Sequence, residues 1–290
     1  MKRFIRYALT LFAAVVVLAL AVDYLNVRLI CSSSGNSTYK MKRLYENPEP
    51  NEIAIVGSSR AEGNFVPSVI SERCFDYGVG GMSMHEVLPI LDVLSGRQTD
   101  APVIVNLDPW GNFRHRIVAD YRLAPQSGRL SWREKVPGIR FFGALRNNLV
   151  AMIDARRSVT RVIDKGASLL KISRSENEWH AIDSKMVDLE FRCDADDQQR
   201  LITALKSFSP RRVYVVVCPC SAGWMAHFLG RRELDELLNR IRALANVKVY
   251  DYYGSPEFSD TDFSDPNHFN ITGARKFSAL LKSKIAKVGK

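Results

Sequence analysis

The stretch Ile53-Ala54-Ile55-Val56-Gly57-Ser58-Ser59-Arg60 decides the fold. Its first half is apolar at every position, the pattern of a strand buried on both faces, as in a parallel sheet covered by helices. Its second half is a turn of small residues. A strand ending this way delivers the next side chains to the carboxyl edge of the sheet, where open α/β folds place their ligands. Here that delivers a hydroxyl, Ser59.

Four more short apolar runs read as strands: 74–77 (the weakest), 103–107, 213–217 and 247–250. Between them lie segments with apolar residues at helical spacing. Met84, Val87, Leu88 and Leu91 mark a helix over 83–94; Leu201, Leu205 and Phe208 mark 195–208. Leu234, Leu237, Leu238, Ile241 and Leu244 mark 232–245, and Ala274, Phe277, Leu280 and Leu281 mark 272–286. This alternation predicts an α/β fold, a three-layer α/β/α sandwich around a mostly parallel five-stranded sheet. The stretch 111–194 does not fit it. That stretch is basic, aromatic and helical in pattern, with no clear strand, and is far longer than a crossover needs. It reads as a helical insertion between the third and fourth strands, expected over the site as a lid or docking surface.

The chain begins Met1-Lys2-Arg3-Phe4-Ile5-Arg6 and then carries no charge from Tyr7 to Val22. A basic flank before an apolar segment is the pattern of a signal anchor or signal peptide. We read 1–30 as a single-pass anchor in the inner or cytoplasmic membrane, with the chain after Val22 on the periplasmic or extracellular side. Ala19-Leu20-Ala21 also fits a cleavage site. Residues 31–39 read as a polar linker and 40–290 as the domain with its insertion. The net charge of +10 suits an anionic membrane or envelope polymer, and an exported chain argues against a nucleic-acid partner. Of the five cysteines, Cys74 and Cys218 read as small buried residues at strand ends. Ligand-spaced Cys or His pairs are lacking, so no metal is expected.

A serine hydroxyl becomes a nucleophile when a base takes its proton, and an imidazole serves best when a carboxylate orients it. Asp265-Pro266-Asn267-His268 supplies both groups. Asp262 is a weaker rival to Asp265, and Asp260 weaker still. Arg60 either binds an anionic substrate group or pairs with Asp108. Trp224 and His227, after the fourth strand, read as residues that pack locally.

The order of these blocks carries a resemblance. Gly57-Ser58-Ser59 follows the first strand and the glycine turn Asp76-Tyr77-Gly78-Val79-Gly80-Gly81-Met82-Ser83 the second. Asp265-x-x-His268 runs on into Asn270-x-x-Gly273-Ala274. The pattern resembles the SGNH (GDSL-like) hydrolase superfamily. More narrowly it is similar to the membrane-anchored GSS-type members of cell-envelope acylation systems, the DltD-like and alginate O-acetylation-like proteins. The resemblance covers 53–110 and 213–277. It implies a flavodoxin-like SGNH fold, Ser59 as nucleophile, His268 as base, Asp265 as orienting acid, and no cofactor. The N–H groups of Ser59 and Gly81 would stabilise the oxyanion.

The family's third block, G-x-N-D, is replaced by Asn106-Leu107-Asp108-Pro109-Trp110. Aligned strictly, Asp108 stands where the donor asparagine belongs, and a carboxylate cannot donate. Asn106 or Asn112 substitutes, or Asp108 binds something else, or backbone donors act alone. Losing one donor typically costs about 10²–10³ in rate. Arg60, Asp108 and Trp110 are the expected substrate-binding residues. The function implied is a serine-dependent acyltransferase or esterase acting on O-acyl groups, acetyl foremost, of an envelope glycan or polymer, with a multi-span acyl donor as partner. The alternative is a non-catalytic binding or assembly protein for envelope polysaccharide.

Overall fold

The computed structural model describes residues 1–30, 33–108, 160–191 and 193–286. The described residues divide into two compact units, 1–30 with 33–46, and 47–108 with 160–191 and 193–286. The described part of the first unit is two helices. α1 (Lys2–Ile30) is long and apolar enough over Lys2–Leu29 to cross a membrane, with a mean hydropathy of 2.3 over its most apolar 18 residues. α2 (Ser37–Glu46) starts where the Asn36 side chain accepts from the N–H groups of Thr38 and Tyr39 at 2.9 and 3.2 Å. Residue 40, the expected start of the folded domain, falls inside α2.

The second unit is the α/β fold. Strands β1 (Ile53–Val56), β2 (Cys74–Asp76), β3 (Val103–Asn106), β6 (Val213–Val217) and β7 (Val247–Asp251) form one parallel sheet in the order β2-β1-β3-β6-β7. Helices α3 (Ser59–Asn64), α4 (Pro67–Ile70) and α10 (Ile271–Ala286) pack together, as do α5 (Met84–Ser95), α7 (Ala195–Lys206) and α9 (Arg231–Arg242). A short helix, α8 (Ala222–Ala226), follows β6. The expected three-layer sandwich is the observed one. Its central strands are buried at every position, and α9 buries Leu234, Leu237, Leu238 and Ile241 completely. In this strand order the sequence doubles back between β1 and β3, the switch point where doubly wound sheets hold ligands.

Residues 160–191 correct the reading of 111–194 as helical without a strand. They hold an antiparallel hairpin, β4 (Arg161–Asp164) and β5 (Ala167–Leu170), followed by α6 (Glu176–Asp183). The hairpin turns through Lys165 and Gly166, both at positive φ, as a two-residue turn requires. Its tip docks on β2: Asp76 N–H donates to the Lys165 carbonyl at 2.8 Å. A Cβ on Gly166 would lie 2.1 Å from the Asp76 carbonyl oxygen, so only glycine fits there. Two four-residue strands are too short to stand out as a period. The rest of the proposed insertion, 109–159, lies outside the described residues.

The last strands, β8 (Phe263–Asp265) and β9 (His268–Phe269), form a small hairpin that enters α10. Asn270 secures the entry, accepting from the N–H groups of Thr272 and Gly273 at 3.0 Å each and donating to the Thr261 carbonyl at 2.8 Å. Gly273 lets α10 press against this turn, since a Cβ there would sit 2.2 Å from the Asp262 carbonyl. Gly273→Ala is therefore expected to destabilise the unit by about 1–3 kcal/mol. The check is a melting temperature several degrees below that of the parent chain.

Candidate active site

β1 hands the chain to α3 through Gly57 at φ +153°. A Cβ there would stand 2.9 Å from the Cβ atoms of both Ala61 and Asn106, so the turn closes only around glycine. Ser58 caps α3, its hydroxyl accepting from the Arg60 N–H at 3.3 Å. Ser59 is left as the first residue of the helix, half-buried at the carboxyl edge of the sheet.

His268 arrives on the β8–β9 hairpin. Its Nε2 lies 2.8 Å from Ser59 Oγ, and its Nδ1 lies 2.9 Å from both Oδ1 and Oδ2 of Asp265. Nδ1 faces a carboxylate and therefore donates, which leaves Nε2 to accept the serine proton. The Asp-x-x-His spacing works because the turn folds Asp265 back. Its Oδ1 accepts from the N–H groups of Asn267 at 3.1 Å and His268 at 3.0 Å, an Asx turn. Burial pushes the Asp265 carboxyl up. The hydrogen bond and charge of His268 and the two backbone donors outweigh this and hold it below the ordinary carboxylate value.

The turn is braced on several sides. Phe263 stacks on Phe269 with ring centroids 4.6 Å apart, and Phe269 packs against Phe277 of α10. Arg174 Nε donates to the Ser264 carbonyl at 2.6 Å, and the N–H of Ser221, the residue that caps α8, donates to the Pro266 carbonyl at 2.9 Å. Asn64 Nδ2 donates to the Asn267 carbonyl at 3.2 Å, while its Oδ1 accepts from the Phe269 N–H at 2.9 Å. Sequence reasoning missed Arg174, Ser221 and Asn64. Only Asn64 left a signal, since it lies one helical turn beyond Arg60 on the same face of a helix made of small residues.

The other expected site residues are placed differently. Arg60 is fully buried. Of its two expected partners it meets Asp108, at 3.8 Å between Nη1 and Oδ1. Asp108 is itself buried and also accepts from Asn106 Nδ2 at 3.0 Å. Asn106 is 1% exposed, and its Oδ1 accepts from the Cys218 thiol at 3.1 Å. Its amide nitrogen and oxygen thus both have partners within the protein. Asp262 binds Lys276 at 2.9 Å and the Ser259 N–H at 3.1 Å, and Asp260 accepts from the Ala222 N–H at 3.2 Å. Both rivals of Asp265 are thus engaged in the loop before β8. Trp110 and Asn112 lie outside the described residues.

The glycine turn passes beside the serine. A Cβ on Gly80 would come within 4.0 Å of Ser59 Cβ, and the Gly80 N–H donates to Glu62 Oε2 at 2.9 Å. Gly81 comes next, at φ +76°, and is exposed. A cavity of about 560 Å³, lined by Trp224, Ile182, Met186 and Leu189 among others, opens beside Pro266, but neither Ser59 nor His268 lines it. Among the described residues no group of three or more His, Cys, Asp or Glu side chains is arranged to hold a metal ion.

No protein-family model matches the chain, and no curated protein matches it. Among solved structures it is similar to a protein of Bacteroides fragilis provisionally assigned as an acylhydrolase. The likeness has a TM-score of 0.39 and 15% identity, over 86% of this chain and 94% of that one. So loose a likeness carries no weight; the site rests on its own geometry.

Burial pushes the thiols of Cys218 and Cys220 up, to about 12 and about 11, against the pull of the Arg60 charge. Neither has appreciable thiolate at neutral pH. Alkylation at pH 8 with subsequent peptide mapping is expected to leave both unmodified in the folded chain and to modify both in denaturant.

Proposed function

We propose that this chain is a membrane-anchored SGNH-type acyl-transfer enzyme of the DltD-like and alginate O-acetylation-like kind. Its substrates would be O-acyl groups, acetyl foremost, of an envelope glycan or polymer outside the cytoplasm. The observation that carries this reading is the continuous chain Ser59 Oγ–His268–Asp265, closed at 2.8 and 2.9 Å. In the first half-reaction Ser59 Oγ attacks the acyl carbonyl while His268 Nε2 takes its proton. The tetrahedral oxygen is held by the N–H groups of Ser59 and Gly81. His268 then returns the proton to the departing alkoxide, leaving an acyl ester on Ser59. A sugar hydroxyl or water repeats the steps in reverse order and releases the acyl group.

Two further features support it. Glycan acceptors and anionic polymers suit an anchored chain of net charge +10 with a helix of spanning length at its N-terminus. The Arg60 charge beside Asp108 offsets the carboxylate that stands in the third block. A multi-span acyl donor would supply the acyl group, because nothing in a single-pass chain carries one across a membrane.

The test uses full-length chain in detergent, an acetyl ester as donor, and an oligosaccharide as acceptor. Acetyl transfer or acetate release is expected from the parent chain. Ser59→Ala and His268→Ala should lose it, and Asp265→Asn should fall by about 10⁴-fold. Turnover unchanged in Ser59→Ala would overturn the proposal. Retention of the oligosaccharide without turnover, equal in parent and Ser59→Ala, would establish a binding protein instead.

A further inference from the structure

Arg60 is a large, fully buried, charged side chain next in sequence to the serine. Taking such a charge out of water is costly, and an apolar residue would fill the same space without that cost. What a guanidinium adds is a planar fork of donors with fixed directions. Here the fork reaches three separate loops. Nε donates to the Asn267 carbonyl at 3.1 Å. Nη2 donates to the carbonyls of Cys218 and Pro219 at 2.8 and 2.6 Å and to Cys220 Sγ at 3.3 Å. Nη1 faces Asp108 in the loop after β3.

Asn267 directly precedes His268, and its carbonyl is held from the same helix twice, by Arg60 and by Asn64. Asn64 also accepts from the Phe269 N–H on the far side of His268. The backbone on both sides of the imidazole is therefore gripped by α3, the helix whose first residue is Ser59. We propose that Arg60 and Asn64 are positioning residues that set the distance from Ser59 to His268, with Arg60 tying that grip to the loops after β3 and β6. This role rests on the triad reading above, and it concerns geometry rather than contact with substrate.

The experiment has two readouts on full-length chain, one of them independent of turnover. The first is the low-field proton on His268 Nδ1 in histidine-labelled NMR spectra, assigned by its loss in His268→Ala. The second is the rate at which a fluorophosphonate labels Ser59. Arg60→Met and Asn64→Ala are expected to shift or broaden the Nδ1 proton and to slow labelling by about 10²-fold, the cost of a misplacement near 1 Å. Arg60→Lys, which keeps the charge without the fork, should recover part of the loss.

Folded Arg60→Met and Asn64→Ala proteins with the parent's His268 resonance and labelling rate would overturn the proposal. If Arg60→Met fails to fold, Asn64→Ala decides alone. If the parent never labels but its Nδ1 proton moves in the variants, the positioning role stands and the catalytic reading fails.

Discussion

Gly57 is the constraint on which the rest of the site depends. β1 ends against Ala61 and Asn106 with no room for a Cβ, and the chain escapes only through a positive φ. That turn starts α3 at the switch point of the sheet, with Ser59 as its first residue and Arg60 and Asn64 pointing back to the triad turn. Nucleophile and supports are thus set by one short helix. A larger residue at position 57 would move all three together, so its effect would be on alignment as much as on stability.

The Arg60–Asp108 pair changes how the third block is understood. A carboxylate where the resemblance expects a donor amide would repel a developing oxyanion if it stood alone. Asp108 instead has a guanidinium at 3.8 Å and the Asn106 amide at 3.0 Å, and it is turned into the protein. The block has become part of the scaffold under the serine. Oxyanion stabilisation then falls to backbone donors, and the glycine turn that runs past Ser59 is where they would come from.

What could be read from sequence divides along the range of the interactions. The five strands were legible because burial on both faces makes their apolar runs continuous. Ser59, Asp265 and His268 were legible because each sits in a short local motif whose geometry is set by its neighbours, as the Asx turn at Asp265 illustrates. The choice between the two roles open to Arg60, substrate contact or pairing with Asp108, was not legible for the opposite reason. An arginine beside a nucleophile looks like a substrate anchor until its partners, some 158 to 207 residues away, are seen to bury it. The β4–β5 hairpin was missed because β4 alternates only between exposed and half-buried positions. Its Lys-Gly turn also lacks the usual Asn or Asp before the glycine.

The central claim is that Ser59 is a nucleophile activated by His268. The most direct measurement is the intact mass and peptide map of the full-length chain after brief exposure to a fluorophosphonate. The account predicts one covalent adduct per chain, located on Ser59 and absent from His268→Ala. An adduct on another residue, or equal labelling of Ser59 in the parent and in His268→Ala, would contradict it.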